Sequence, residues 1–301
     1  MDDRERLAER FEAHRGHLNG VAFRMLGSLT DAEDAVQEAW VRLDRAGAHD
    51  VANLPGWLTT VVGRICLDML RTRKARREVA GGDDAVAAMP QERMAEPEQE
   101  TLLVESVGRA MLVVLDRLSP AERVAFVLHD MFSVPFDEIA AIVDRTPAAA
   151  KKLASRARQR VGGEPSTAPG EIDLLWHRRV VESFLAAARG RDIAGLLAVL
   201  APDAVRHADA AAGLPPGVAL EVRGADAIVE ETLLLSRNAM FADVVLVDGA
   251  VGMVVAPRGR MVSVLTFVVK DDRIAEYSVI ADPRRLEQVE LAVLEVSAVL
   301  R

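Results

Sequence analysis

The chain has 301 residues, 50% of them apolar and 28% charged, the mix of folded globular domains rather than of disordered or fibrous chains. Thirty-seven lysines and arginines against 46 aspartates and glutamates leave a net charge of −9, which excludes a uniformly basic nucleic-acid-binding protein. The single cysteine, Cys66, excludes an intramolecular disulfide framework.

That cysteine usage fits a reducing compartment, and the acidic opening Met1-Asp2-Asp3-Arg4-Glu5 lacks the features of a signal peptide. No run of about 18 uninterrupted apolar residues offers a membrane span. A cytoplasmic location away from the membrane is the expectation. Charge is distributed unevenly. Residues 81–105 carry Arg93 against seven acids, beside Gly81-Gly82, Pro90 and Pro97, and read as a solvated linker. Gly162-Gly163-Glu164-Pro165 through Gly170 reads as a second hinge. The resulting map is 1–80, linker 81–105, 106–163, linker 164–172, and 173–301.

The first module is helical. Leu7, Phe11, Leu18, Val21, Met25 and Leu26 recur at helical spacing. Thr30 with Glu33 predicts a capping box for a second helix, whose stripe is Ala32, Ala35, Val36, Ala39, Trp40 and Leu43. Its opposite face carries Glu33, Asp34, Gln37 and Glu38. A third helix is predicted from Pro55, with Trp57 read as core, and it ends in Arg71, Arg73, Lys74, Arg76 and Arg77. Such a basic end complements a helix dipole and also suits phosphate.

The second module is helical too. Ser119-Pro120-Ala121-Glu122 combines an N-cap, a first-turn proline and a capping-box glutamate. Pro135 to Val143 predicts a short helix, Asp144-Arg145 a break, and Thr146-Pro147 the start of a helix to about Val161. This spacing is a helix-turn-helix. Arg145 to Arg160 holds six cations and no anion. Ala148, Lys151 and Ser155, flanked by Lys152, form an outer face narrow enough for a major groove. Arg156 and Arg158 would serve phosphates.

Residues 164–301, the second hinge and the third module, carry fourteen basic against twenty acidic residues. Helices are predicted at Leu174–Ala188, Ile193–Leu200 and Ala225–Arg237. Strands follow at Asp243–Val247, Val251–Ala256, Met261–Val269 and Ile274–Ile280, then a final helix from Pro283 to Leu300. The fold class is therefore multi-domain, two all-α modules and one α+β module. His207 and Asp209, two apart on an extended segment, would share one side, with Tyr277 as a further wall of a pocket. Satisfied polar residues near a strand end are the simpler reading of that pair.

Taken together, these residues suggest a family. Asp31-Ala32-Glu33-Asp34-Ala35-Val36-Gln37-Glu38-Ala39-Trp40 resembles the region 2 signature of extracytoplasmic-function (group 4) RNA polymerase sigma factors. Trp57-Leu58 with Arg64-Ile65-Cys66-Leu67-Asp68-Met69-Leu70-Arg71 resembles their −10 helix, and Leu118 to Arg123 with Ala154 to Arg158 their region 4. Phe184 to Asp192, Leu200-Ala201-Pro202-Asp203 and His207-Ala208-Asp209 resemble a SnoaL-like domain of the cone-shaped NTF2 fold. Two motifs depart from the subgroup that carries this extension. Asp209-Ala210-Ala211-Ala212-Gly213 lacks a lysine, and the linker keeps only Glu96-Pro97-Glu98.

The resemblance implies a non-enzymatic factor that needs no cofactor or metal. Its partners would be core RNA polymerase, through the β′ clamp, and promoter DNA. Core would meet Asp34, Gln37 and Glu38. The −10 element would meet Arg64, Asp68, Arg71, Arg73 and Lys74, with the loop Ala46 to Asn53. The −35 element would meet Thr146, Ala148, Lys151, Lys152, Ser155, Arg156 and Arg158. The cone would modulate activity in place of a separate anti-sigma protein, docking across the other modules, and a small-molecule ligand near His207, Asp209 and Tyr277 is one way to control it. Two other functions compete: a SnoaL-type isomerase, cyclase or hydrolase fused to DNA-binding modules, and a ligand-responsive DNA-binding regulator.

Overall fold

The computed structural model describes residues 3–46, 53–79, 108–163, 171–212 and 219–293. Both the 81–105 linker and most of the 164–172 hinge lie outside them.

Helices α1 (Asp3–Leu26), α2 (Leu29–Ala46) and α3 (Leu54–Val79) pack as a bundle through the stripes read from the sequence. Val21, Phe23, Val36, Leu43, Leu58 and Val62 are fully buried, and Phe11 meets Trp40 at 5.1 Å between ring centroids. The cap of α2 differs from the expectation. Ser28, not Thr30, accepts the Asp31 N–H at 3.3 Å, because Gly27 turns at φ +69° and brings the chain round two residues earlier.

The second module contains α4 (Arg109–Asp116), α5 (Pro120–Phe126), a π-helical turn at Val127–Met131, α6 (Phe136–Val143) and α7 (Pro147–Gly162). Glu122 accepts the Ser119 N–H at 3.1 Å, and Thr146 accepts the Ala149 N–H at 3.2 Å, so both predicted caps form. Asp144 takes the left-handed conformation, φ 56°, which turns the chain between α6 and α7 within three residues.

Helices α8 (Glu171–Gly190) and α9 (Ile193–Val199) open the third module. Seven strands follow: β1 (Leu200–Ala208), β2 (Glu221–Arg223), β3 (Ala242–Val247), β4 (Ala250–Val255), β5 (Ser263–Lys270), β6 (Arg273–Ile280) and β7 (Leu291–Ala292). Helices α10 (Ala225–Leu234), α11 (Ser236–Ala239) and α12 (Pro283–Gln288) complete it. The sheet order is β2-β1-β6-β5-β4-β3-β7, antiparallel except for β1 beside β6. This confirms the α+β fold class and adds three strands to the four predicted. The predicted final helix stops at Gln288. Val289 turns extended, and Asp248 exchanges two 2.8 Å bonds with Glu290, so Leu291 and Ala292 pair with β3 instead. Residues beyond 293 are outside those described.

Rings of Phe184, Phe267 and Tyr277 fill the concave side of the sheet at 5.6–5.9 Å. Beside them the Arg206 guanidinium, 1% exposed, pairs with Glu231 and donates to the Ala219 and Leu220 carbonyls at 2.9 and 3.1 Å. Removing one partner of such a pair leaves a buried, uncompensated charge. Glu231→Ala should therefore cost about 3–5 kcal/mol in urea denaturation, whereas Arg206→Met combined with Glu231→Leu should cost far less.

Candidate nucleic-acid interface

Helix α7 buries Ala150, Ala154, Ala157 and Val161, half-buries Leu153 and exposes the other residues between them. Ala148, Lys151, Lys152, Ser155 and Arg156 all face solvent, as the sequence predicts. Two predicted contacts are placed differently. Thr146 is exposed, but its hydroxyl is committed to capping α7. Arg158, expected at phosphate, is held by Asp130 through bonds of 2.7 and 3.3 Å. Arg160 is likewise paired with Glu122 at 2.6 Å.

On α2, Asp34, Gln37 and Glu38 are exposed, so the acidic face is free of the module's own core. Glu38 pairs with Arg42 one turn on at 2.9 Å. Helix α3 is the crowded element. Arg71 is exposed and 3.5 Å from Asp68, and Lys74 is exposed as well. Arg73 corrects the sequence reading: it is half-buried, donates to the Leu26 carbonyl at 2.8 Å and pairs with Asp31. It therefore ties the end of α1 to the first turn of α2, where a cation suits both a helix C-terminus and an acidic N-terminus. Most of the predicted loop from Ala46 to Asn53 lies outside the described residues.

Modules one and two meet along α3. Gly63 faces Ile142 and Leu128, with room for a Cβ only at 3.2–3.4 Å from their methyls. Arg64 donates to the Ala141 carbonyl at 3.0 Å, and Arg123 reaches back to the Arg24 carbonyl at 3.4 Å. A cleft beside this seam is lined by Asn53, Gly56, Trp57 and Thr60 from module one and Asp137, Glu138 and Ala141 from module two. Trp57, expected in the core, is half-buried at this seam.

Modules two and three also meet. Ala110 N–H donates to Asp243 at 3.3 Å, Leu112 packs under Gly259, and Arg117 bonds the Leu286 and Glu287 carbonyls. The Val293 N–H donates to the Val161 carbonyl at 2.8 Å, joining the segment after β7 to the end of α7.

The predicted pocket is not assembled. His207 lies on the outer side of the sheet, 3.5 Å from both Glu221 and Glu276. Asp209 sits past the end of β1, accepting the Ala281 and Asp282 N–H groups at 2.8 Å. Only Tyr277 points inside, where burial holds its phenol well above the ordinary value and the Thr232 hydroxyl bonds it. The inward position of β1 is Arg206, one residue from His207, because successive strand residues alternate between faces. Sequence reading missed Arg206 and Glu231; the burial pattern of β1 was hidden by Pro202 and Asp203 at its start. Among the described residues no cluster of histidine, cysteine, aspartate or glutamate suits a metal, and no helix is long and apolar enough to cross a membrane.

Comparison with known proteins matches residues 10–76 to Sigma-70 region 2 and residues 108–161 to Sigma-70 region 4. The chain is 40% identical over 232 residues to the ECF RNA polymerase sigma factor SigJ of Mycobacterium tuberculosis, covering 76% of this chain and 72% of that protein. It is 35% identical over 218 residues to the probable ECF sigma factor SigI of the same species, covering 71% and 73%. A crystal structure of M. tuberculosis SigJ overlaps with TM-score 0.45 at 33% identity, covering 93% of this chain and 98% of that one.

Cys66, beside the seam on α3, is fully buried, and burial pushes its thiol up to about 12. The thiolate is the reactive form. At pH 8 the native chain should resist iodoacetamide and label only on unfolding; fast labelling of the folded chain would contradict this placement.

Proposed function

Because the chain belongs to the extracytoplasmic-function RNA polymerase sigma factors, whose sigma domains bind core polymerase and promoter DNA, we propose a specific division of labour among its modules. Core polymerase, through its β′ clamp, meets Asp34, Gln37 and Glu38 on α2. Arg64, Asp68, Arg71 and Lys74 on α3 serve the −10 element, and α7 reads −35. Module three is a brace for module two, and the opening motion that promoter binding requires occurs between modules one and two.

The tie between α7 and module three supports this reading: they share a main-chain hydrogen bond and apolar packing, and across the other seam Arg64 on α3 is occupied by the carbonyl of Ala141. The outer face of α7 is meanwhile open. On this reading the folded chain offers its −35 face and covers part of its −10 face without a separate anti-sigma protein. The enzyme reading loses its basis in a His207–Asp209 pair, since the two side chains serve different places.

In vitro transcription with purified core and no other factor tests the class: promoter-specific initiation is expected. Charge reversal at Asp34 and Glu38 should weaken pull-down of core while leaving the circular dichroism spectrum unchanged, and undiminished core binding would refute the α2 assignment. Gly63→Leu, a wedge at the seam that also favours helix, should raise initiation at limiting core. Truncation after Gly163 should abolish −35-dependent output and lower the melting temperature. Higher output from the truncated chain would make module three an inhibitor instead of a brace.

A further inference from the structure

On α7, Lys151, Ser155 and Arg158 follow one another at helical spacings of four and three, so they line a single stripe. The first two point freely outward. Arg158 is turned instead onto Asp130, Nε to Oδ1 at 2.7 Å and Nη2 to Oδ2 at 3.3 Å, a two-bond pairing that fixes the guanidinium in orientation as well as position. The pair is asymmetric: the Asp130 side chain is 10% exposed and that of Arg158 is 45% exposed. The carboxylate is thus the anchored partner.

Its anchorage has a visible cause. Asp130 lies in the π-helical turn Val127–Met131, where the wider winding shifts the side chains that follow α5 around the axis. Val127 and Leu128 are fully buried. The neighbouring His129 ring stacks on Phe136 at 3.8 Å, with Nδ1 3.1 Å from the Val134 carbonyl. The core therefore dictates where the acid stands, at one end of the DNA-facing stripe.

We propose that Asp130 is a specificity-determining residue for −35 recognition. An arginine on this stripe would strengthen binding to any sequence by neutralising phosphate, which carries no base information. By occupying Arg158, Asp130 withholds that contact and leaves discrimination to Lys151 and Ser155 at the other end. The inference rests on the reading of α7 as the −35 helix. Glu122 holds Arg160 in a similar way, but it also closes the cap of α5, so its replacement would confound the two roles.

The test uses the full chain and two duplexes: one selected by the wild-type protein from a random pool, and a scramble of it. Binding is followed by fluorescence anisotropy across a salt series. Asp130→Asn should tighten binding to the scramble, shrink the ratio between the duplexes, and steepen the dependence of log affinity on log salt by about 0.9, one phosphate contact. Asp130→Glu, which can keep the pair, should behave as wild type. Arg158→Ala should leave the wild-type slope unchanged. An unchanged or shallower slope for Asp130→Asn, or a shallower one for Arg158→Ala, overturns the proposal, as does weaker binding of Asp130→Asn to the scramble. Lys151→Ala separates the two levels. If it reduces preference for the selected duplex, α7 reads DNA and only the role of Asp130 is at stake. If it changes neither duplex, the reading of α7 fails and the proposal with it.

Discussion

Helix α4 is apolar on nearly all sides. Met111, Leu112, Val113, Val114 and Leu115 are all at most 2% exposed, and no single neighbour can cover every direction around a helix. Module two supplies one wall through α7. The strand β3 and the turn at Pro257–Gly259 of module three supply another. This demand for cover on several sides makes a helix-turn-helix and a cone-shaped domain into one body. The polar ties at its margin, Asp243 to the Ala110 N–H and Arg117 to the α12 carbonyls, set the register of a contact whose strength comes from apolar burial.

The seam between modules one and two follows another logic. It is narrow at Gly63, where the missing side chain lets two helices approach, and each side contributes an arginine to a carbonyl near the end of a helix on the other. Cations at helix C-termini gain modest, salt-sensitive energy. These two bonds add to the apolar contact that Gly63 makes with Leu128 and Ile142. Module two thus carries both seams, one with α3 and one with module three.

Particular elements show how much was legible in the sequence. The caps at Ser119 and Thr146 and the strands from Ala242 to Ile280 could be read directly, since capping boxes and β-branched runs act over a few neighbours. The family signatures in α2, α3 and the helix-turn-helix were equally local. Three strands were not legible. β1 holds Pro202 and Asp203 near its start and carries Arg206 and His207, a polar string that becomes a strand because β6 and β2 lie on either side of it. β7 comprises two residues and exists because β3 had an open edge. The pocket reading of His207 fails by one residue in a pattern of period two, and the simpler reading of polar residues near a strand end is the one the structure matches.

Sequence alone therefore determined the helices, their caps, the charged faces of α2 and α7, and membership of the sigma-factor family, all properties of short segments. Tertiary structure decided which charges remain available. Arg71 and Lys151 face outward, while Arg64, Arg73 and Arg158 are taken by Ala141, Asp31 and Asp130. The physical reason is reach. A guanidinium on a long side chain settles on whichever acceptor packing brings near, and that acceptor is 77, 42 or 28 residues away along the chain.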